Sequence, residues 1–219
     1  MPVEAIIFDM DGVLVDSEPY WLASRQEFAR DLGKVWTDAD QRLAMGRNTV
    51  EWAQVMRERL HLEQSVESIM EDVIARVIAH YEQRLPLRPG AIEAAQAAAS
   101  AYPTALASGS PKRIIQRVME LTGLNQVFRH VVYGDDFANG KPAPDIYLAT
   151  AQLLSVPPAR CLGIEDSANG VRSLHAAGMY IIAAPSPGFT LPPEIIALCH
   201  RVIGSLEQFS ADLVREIGG

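Results

Sequence analysis

Residues 5–12 read AIIFDMDG, a short apolar run followed by two aspartates that one residue separates. A run such as Ala5–Phe8 is typical of a strand buried on both faces of a parallel sheet. Ligands bind at the carboxyl ends of such strands, which is where Asp9 and Asp11 would lie. Two carboxylates repel each other there unless a cation offsets their charge, and Gly12 allows the chain to turn sharply. The stretch predicts an α/β fold with a Mg²⁺ site, although a solvated turn could contain the same residues.

The composition limits the classes of partner. The 219 residues are enough for one sizeable α/β domain with a modest insertion. The formal net charge of −8 argues against nucleic acid and anionic membranes as partners, but a small anionic substrate remains compatible with it if a metal and local Lys or Arg reverse the field. No apolar run approaches the roughly 20 residues that span a bilayer. The chain is compatible with a monomer or a small homo-oligomer.

The two cysteines and the N-terminus bear on the cellular compartment. Cys161 and Cys199 lie outside any metal-ligand or redox spacing, so we expect two reduced thiols. The N-terminus has no basic region ahead of the first strand, so we expect no targeting peptide. Both features predict a cytoplasmic location.

A helical insertion is predicted within an alternating α/β core. The segment from Glu18 to about Leu87 has helical periodicity and no convincing strand, which predicts about four short helices. Beyond it, apolar segments alternate with helical ones, and this alternation predicts a parallel sheet covered by helices. Strands are expected at 104–107, 130–133, 160–164 and 180–184, and helices at 113–121, 145–154 and 168–176. We therefore assign residues 1–16 and 88–219 to an α/β core domain and residues 17–87 to a helical domain.

Three further polar clusters follow later apolar runs. The hydroxyl of Ser108 and the free backbone N–H groups around Gly109 suit a phosphate, although a helix N-cap would explain them equally. Lys141 lies between prolines and could neutralise a transferring phosphoryl group, or could be merely solvated. Glu165 and Asp166 offer the hard oxygen ligands that Mg²⁺ requires, or could cap the helix that follows them. Because each cluster ends a different predicted strand, it is improbable that all of them occur there by chance.

The four clusters together resemble the motifs of the haloacid dehalogenase superfamily of aspartate-nucleophile phosphotransferases. The resemblance covers essentially the whole chain, and the helical insertion resembles the mobile cap of its β-phosphoglucomutase and small-sugar phosphatase group. It implies a Rossmann-like α/β fold whose parallel sheet has the strand order 5-4-1-2-3. It also implies that residues 17–87 form a cap domain.

The resemblance implies roles for the four acidic residues. Asp9 matches the nucleophile that becomes an aspartyl-phosphate, and Asp11 matches the general acid and base. The expected Mg²⁺ ligands are the Asp9 carboxylate, the backbone carbonyl of Asp11 and the Asp166 carboxylate. Glu165 is expected beside them as an indirect or alternative ligand.

The resemblance also implies the phosphate-binding groups. Ser108 and Gly109 match the phosphate-binding loop, and Lys141 matches the lysine that neutralises charge during catalysis. Arg47 lies in the loop that is expected to face the substrate, where it could grip a hydroxylated or phosphorylated substrate or could remain solvated.

The predicted function is a Mg²⁺-dependent phosphatase acting on small phosphorylated metabolites, such as sugar or sugar-alcohol phosphates. The alternatives are a phosphosugar mutase of the same architecture and a non-catalytic phosphate-binding regulator. Asp9 and Asp11 argue against the regulator. Trp21 stands where the mutase pattern has a histidine and Thr49 where it has an arginine, so water is the favoured phosphoryl acceptor.

Overall fold

The structure is a computed structural model that describes residues 1–45, 47–186 and 188–219. Within these residues the sheet has six strands, all paired in parallel, in the order β3-β2-β1-β4-β5-β6. The strands are β1 (Ala5–Phe8), β2 (Thr104–Ser108), β3 (His130–Tyr133), β4 (Cys161–Glu165), β5 (Tyr180–Ala183) and β6 (Arg201–Val202). The predicted Rossmann-like α/β sheet is confirmed, and its first five strands lie in the predicted order.

The sixth strand is a correction to the predicted sheet. Arg201–Val202 pairs with β5 at the edge, and both of its residues are exposed. A strand this short and this exposed has neither an apolar run nor an alternating pattern, so the sequence gives no signal for it.

Helices cover both faces of the sheet because alternate residues of its strands point to opposite sides. Ile6 and Phe8 of β1 pack on one side with helices α5 (Ala91–Ala101), α6 (Lys112–Thr122) and α10 (Ala211–Gly218). Ala5 and Ile7 pack on the other side with α7 (Asp145–Leu154), α8 (Ala168–Ala176) and α9 (Pro193–Ile196). Burying an isoleucine such as Ile6 or Ile7, both fully inaccessible, stabilises the fold by about 1.5–3 kcal/mol.

Four helices lie between β1 and α5: α1 (Glu18–Asp31), α2 (Asp38–Ala44), α3 (Thr49–Arg59) and α4 (Val66–Gln83). A capping box opens α3, because the Asn48 side chain accepts from the Glu51 N–H and the Glu51 carboxylate accepts from the Asn48 N–H. A second box, between Thr37 and Asp40, opens α2. None of the helices in the described ranges combines the length and hydropathy of a bilayer span.

Two chain segments connect these four helices to the sheet, and they run side by side. The Asp16 N–H donates to the Pro86 carbonyl at 2.8 Å, and the Arg88 N–H donates to the Leu14 carbonyl at 2.9 Å. The division at residues 16, 17, 87 and 88 stays a prediction, and these paired segments are where it falls.

Candidate active site

Lys141 joins two carboxylates at the carboxyl edge of the sheet. Its Nζ donates to Asp9 Oδ1 at 2.7 Å and to Glu165 Oε1 at 2.6 Å. Asp9 follows β1 and Glu165 ends the neighbouring strand β4, so the sheet itself brings the two acids together. Burial alone lowers the pKa of Lys141, but the charges of Asp9 and Glu165 outweigh burial and hold this pKa well above its usual value. Lys141 is therefore a permanent cation at neutral pH.

Glu165 is completely buried, and protein donors occupy both of its oxygens. Oε1 accepts from Lys141 and from the Tyr147 hydroxyl, the latter at 2.6 Å. Oε2 accepts from the Asp166 N–H at 3.2 Å and from the Ser167 hydroxyl at 3.3 Å. This carboxylate therefore orients Lys141, and its oxygens are less available to a metal than those of Asp166.

Asp11 faces the hydroxyl of Ser108, which ends strand β2. Ser108 Oγ donates to Asp11 Oδ2 at 3.2 Å and accepts from the Ser110 N–H at 3.1 Å. The other oxygen, Asp11 Oδ1, is buried and has no hydrogen-bond partner among the described residues. An unpaired buried carboxylate oxygen is costly, so this atom is available to a ligand or a transferred proton.

The donor set fits a small divalent cation. Carboxylate oxygens of Asp9, Glu165 and Asp166 lie within 4.8 Å of one another. Burial and the neighbouring carboxylates raise the pKa of Asp9, although Lys141 acts against them. Burial, followed by the charge of Glu165, raises the pKa of Asp166 to about 8. One lysine does not neutralise these acids, so the cluster requires further positive charge.

Gly12 shapes the turn between the two aspartates and the helices. Its φ of +72° favours glycine, and a Cβ at this position would overlap the Asp166 carboxylate. At the turn predicted at Gly12, the backbone after Asp11 thus lies directly against the side chain of Asp166.

A cavity of about 900 Å³ lies between the carboxyl edge of the sheet and helices α1–α3. Of the sequence-predicted site residues, it is lined by Asp9, Asp11, Arg47, Gly109, Lys141 and Asp166. The two other predicted residues, Ser108 and Glu165, are fully buried and contact the lining residues from behind. Arg47 is exposed, and its Nε donates to the Leu43 carbonyl at 2.7 Å.

Sequence reasoning missed three residues at this site. Tyr147 holds Glu165 from α7, and its position in an ordinary apolar helix gives no signal of that role. Asp135 accepts from the Thr49 hydroxyl at 3.2 Å and from the Lys112 N–H at 3.0 Å, and so joins α3 to the core. The role of Arg25 could have been suspected from the sequence, because this charged residue lies between the apolar positions Trp21 and Phe28 on one face of α1.

Known proteins resemble this chain over most of its length. A model described as haloacid dehalogenase-like hydrolase matches residues 3–178. The chain belongs to this family. The phosphorylated carbohydrates phosphatase of Thermotoga maritima is 34% identical to this chain over 81% of this chain and 82% of that protein. Hexitol phosphatase B of Escherichia coli K12 is 32% identical over 94% of each chain.

Two solved structures show the same architecture. A Thermotoga maritima protein provisionally named β-phosphoglucomutase has a TM-score of 0.78 and 29% identity over 96% of this chain and 98% of its own. CbbY of Rhodobacter sphaeroides in complex with phosphate has a TM-score of 0.83 at 24% identity over 98% of this chain and 99% of its own, which shows the shared fold alone. The predicted superfamily and the predicted class, a phosphoric monoester hydrolase, are confirmed.

Proposed function

We propose that this haloacid dehalogenase-like hydrolase is a Mg²⁺-dependent phosphatase that hydrolyses small phosphorylated metabolites, with sugar and sugar-alcohol phosphates as its substrate class. The observation that carries the proposal is the contact of Lys141 with both Asp9 and Glu165 at the base of the cavity. In this contact a fixed cation lies beside Asp9, a carboxylate that lines the cavity, as attack on a phosphate dianion requires. The names of the two phosphatase relatives support the substrate class.

Asp9 is the proposed nucleophile. Lys141 occupies Oδ1, which leaves Oδ2 for in-line attack on phosphorus. The new bond joins Asp9 to the phosphoryl group as the bond to the leaving oxygen breaks. Mg²⁺ held by the carboxylates of Asp9 and Asp166 and by the Asp11 carbonyl would screen the charge of the phosphate.

Asp11 is the proposed general acid and base. It gives its proton to the leaving alkoxide, and then takes a proton from the water that attacks the aspartyl-phosphate, which regenerates Asp9. Ser108 supports this role because its hydroxyl holds Asp11 Oδ2 and leaves Oδ1 free. The phosphate is proposed to rest against the backbone at Gly109, which lines the cavity.

Residues 17–87 are proposed to act as a cap over this site. The paired segments at Leu14–Asp16 and Pro86–Arg88 are suited to a hinge, since few chain connections cross there. The contact between Thr49 and Asp135 would hold the cap closed. A cytoplasmic location and a monomeric or small homo-oligomeric state stay predictions.

Hydrolysis is favoured over mutase chemistry because of Trp21. It lines the cavity from α1, at the position where the mutase pattern has a histidine. An indole donates one hydrogen bond and does not titrate near neutral pH, so it cannot switch water attack on and off. Thr49, at the position of the mutase arginine, is engaged with Asp135.

The test is phosphate release from a panel of phosphorylated metabolites, with and without Mg²⁺, beside isomer formation from β-glucose 1-phosphate with glucose 1,6-bisphosphate supplied. We expect Mg²⁺-dependent release of phosphate and little isomer. Isomer formation exceeding hydrolysis by about an order of magnitude would establish a mutase. Asp9→Asn is the control. Turnover by folded Asp9→Asn would contradict the assignment of Asp9 as the nucleophile.

A further inference from the structure

Arg25 lies in the wall of the cavity, held between tryptophans. It is 4% exposed, and its guanidinium carbon lies 5.0 Å from the ring centroid of Trp21 and 5.1 Å from that of Trp52. The two indoles contact each other edge to face, with centroids 5.6 Å apart. Because both rings are themselves buried, they fix the guanidinium in one place.

Among the described residues, no hydrogen bond or ion pair reaches the guanidinium of this buried cation. Its Nε is inaccessible to solvent, and no acceptor for it lies among residues 1–45, 47–186 and 188–219. Glu18, on the same helix, raises the pKa of Arg25, but burial dominates and lowers that pKa to about 10. Arg25 is still protonated at neutral pH, and a buried, unpaired charge is destabilising.

The acidic side chains of the same cavity wall differ from Arg25 because they have hydrogen-bond partners in the protein. Three of them line the cavity and already accept hydrogen bonds from the protein: Glu18 from Gln41, Glu51 from Asn48, and Asp135 from Thr49 and Lys112. Their charges are therefore partly satisfied, whereas none of the described residues accepts a hydrogen bond from the Arg25 guanidinium. The wall is incomplete at Arg25, and what it lacks is an oxygen-bearing anion.

We propose that Arg25 binds a second anionic group, at the end of the substrate away from the phosphoryl group that is hydrolysed. This inference rests on the proposed phosphatase function and narrows its substrate class to phosphate monoesters that carry a carboxylate or a second phosphate. The cavity of about 900 Å³ is large enough for a six-carbon compound of this kind. Arg25 is thus a specificity-determining residue that contacts the substrate.

The kinetic test uses three substrates on one carbon skeleton. Glucitol 6-phosphate has a neutral far end, 6-phosphogluconate a carboxylate and glucitol 1,6-bisphosphate a phosphate. We expect the wild-type kcat/KM to favour one or both anionic compounds by roughly 10- to 100-fold, the range for hydrogen bonds to a charged group. The comparison of the two anionic compounds identifies which anion is bound.

Arg25→Gln should remove this preference. It should lower kcat/KM for the preferred anionic substrate by roughly 10- to 100-fold and leave glucitol 6-phosphate within about threefold of wild type. Arg30→Gln is the matched control, because Arg30 is an exposed arginine on the same helix, and it should behave as wild type. An equal loss on all three substrates, or a wild-type preference for glucitol 6-phosphate, would overturn the inference.

Two further measurements distinguish substrate binding by Arg25 from a purely structural role of this residue and from failure of the proposed phosphatase function. A purely structural Arg25 predicts that Arg25→Met lowers the thermal midpoint, whereas an unpaired cation kept for a ligand predicts an unchanged or raised midpoint. Calorimetric binding of 6-phosphogluconate and glucitol 1,6-bisphosphate to Asp9→Asn, with and without Arg25→Gln, tests the contact without turnover. If wild type fails to hydrolyse even p-nitrophenyl phosphate, the proposed function fails; if it hydrolyses that ester but neither test shows selective loss, only the Arg25 inference fails.

Discussion

Glu165 Oε1 lies 2.6 Å from Lys141 Nζ and holds the ammonium against Asp9. Glu165→Gln keeps the shape but replaces the charged acceptor, so we expect Lys141 to lose its fixed position. The expected result is a fall in kcat of roughly 10²-fold, the scale for losing one group that stabilises developing charge. The Mg²⁺ concentration for half-maximal activity should change little. A large increase in that concentration with an unchanged kcat would show that Glu165 is instead a metal ligand.

Asp166→Asn should have the opposite effect from Glu165→Gln, because the Mg²⁺ requirement should change most. Lys141 donates to Asp9, Ala107 and Glu165 and not to Asp166. Burial of Asp166 beside Glu165 makes its charge costly without a cation. The variant should therefore require at least about tenfold more Mg²⁺, since metal affinity depends on ligand charge. In the absence of metal its thermal midpoint should be at or above that of wild type. Activity titrations with Mg²⁺ and thermal unfolding in EDTA measure the two effects, and an unchanged metal requirement would remove Asp166 from the site.

Gly170→Ala should reverse the usual effect of this substitution in a helix. Alanine normally stabilises a helix interior by about 1 kcal/mol relative to glycine. At Gly170, however, a Cβ would overlap the Glu165 carboxylate. We expect lower stability and a loss of kcat, because Glu165 must move away from Lys141. Gly204→Ala, where a Cβ meets open space, is the control, and a stable, active Gly170→Ala would contradict the packing described at Glu165.

The Thr49–Asp135 hydrogen bond should contribute to substrate binding through closure of the cap. Thr49→Val removes it, and a hydrogen bond to a charged group is worth about 1.5–3 kcal/mol, so KM should rise by roughly 10- to 100-fold with little change in kcat. Asp135→Asn should raise KM as well, and the double variant should be no worse than the more damaging single one. Fully additive effects on KM would show that the two residues act separately.

The sheet could be predicted because its strands are apolar runs with helices between them. Predicted and observed strands agree within one residue at each end, as in Thr104–Ser108 and Cys161–Glu165. The meeting of Asp9, Lys141 and Glu165 followed from the same pattern, because the carboxyl ends of neighbouring parallel strands share one edge. Their chemical roles stay predictions.

The contacts that support the site could not be predicted in the same way. That Tyr147 holds Glu165 depends on the angle at which α7 crosses the sheet, and periodicity does not fix that angle. The neighbours of Arg25 depend on how α1 and α3 pack, so the sequence shows only a polar residue within an apolar stripe. Asp135 lies in a connection with no periodic pattern, and its link to Thr49 joins positions far apart in the chain.

The central claim is that Asp9 carries the phosphoryl group between its two transfers. The direct test is rapid acid quench of Asp11→Asn during p-nitrophenyl phosphate turnover, followed by peptide mass spectrometry. Nitrophenolate leaves without protonation, so the first step should proceed, while loss of the general base should slow hydrolysis of the intermediate by roughly 10²–10⁴-fold. The account predicts a burst of nitrophenolate equal to the active-site concentration and one phosphoryl group on Asp9. Steady turnover with no label, or a label on any other residue, would contradict it.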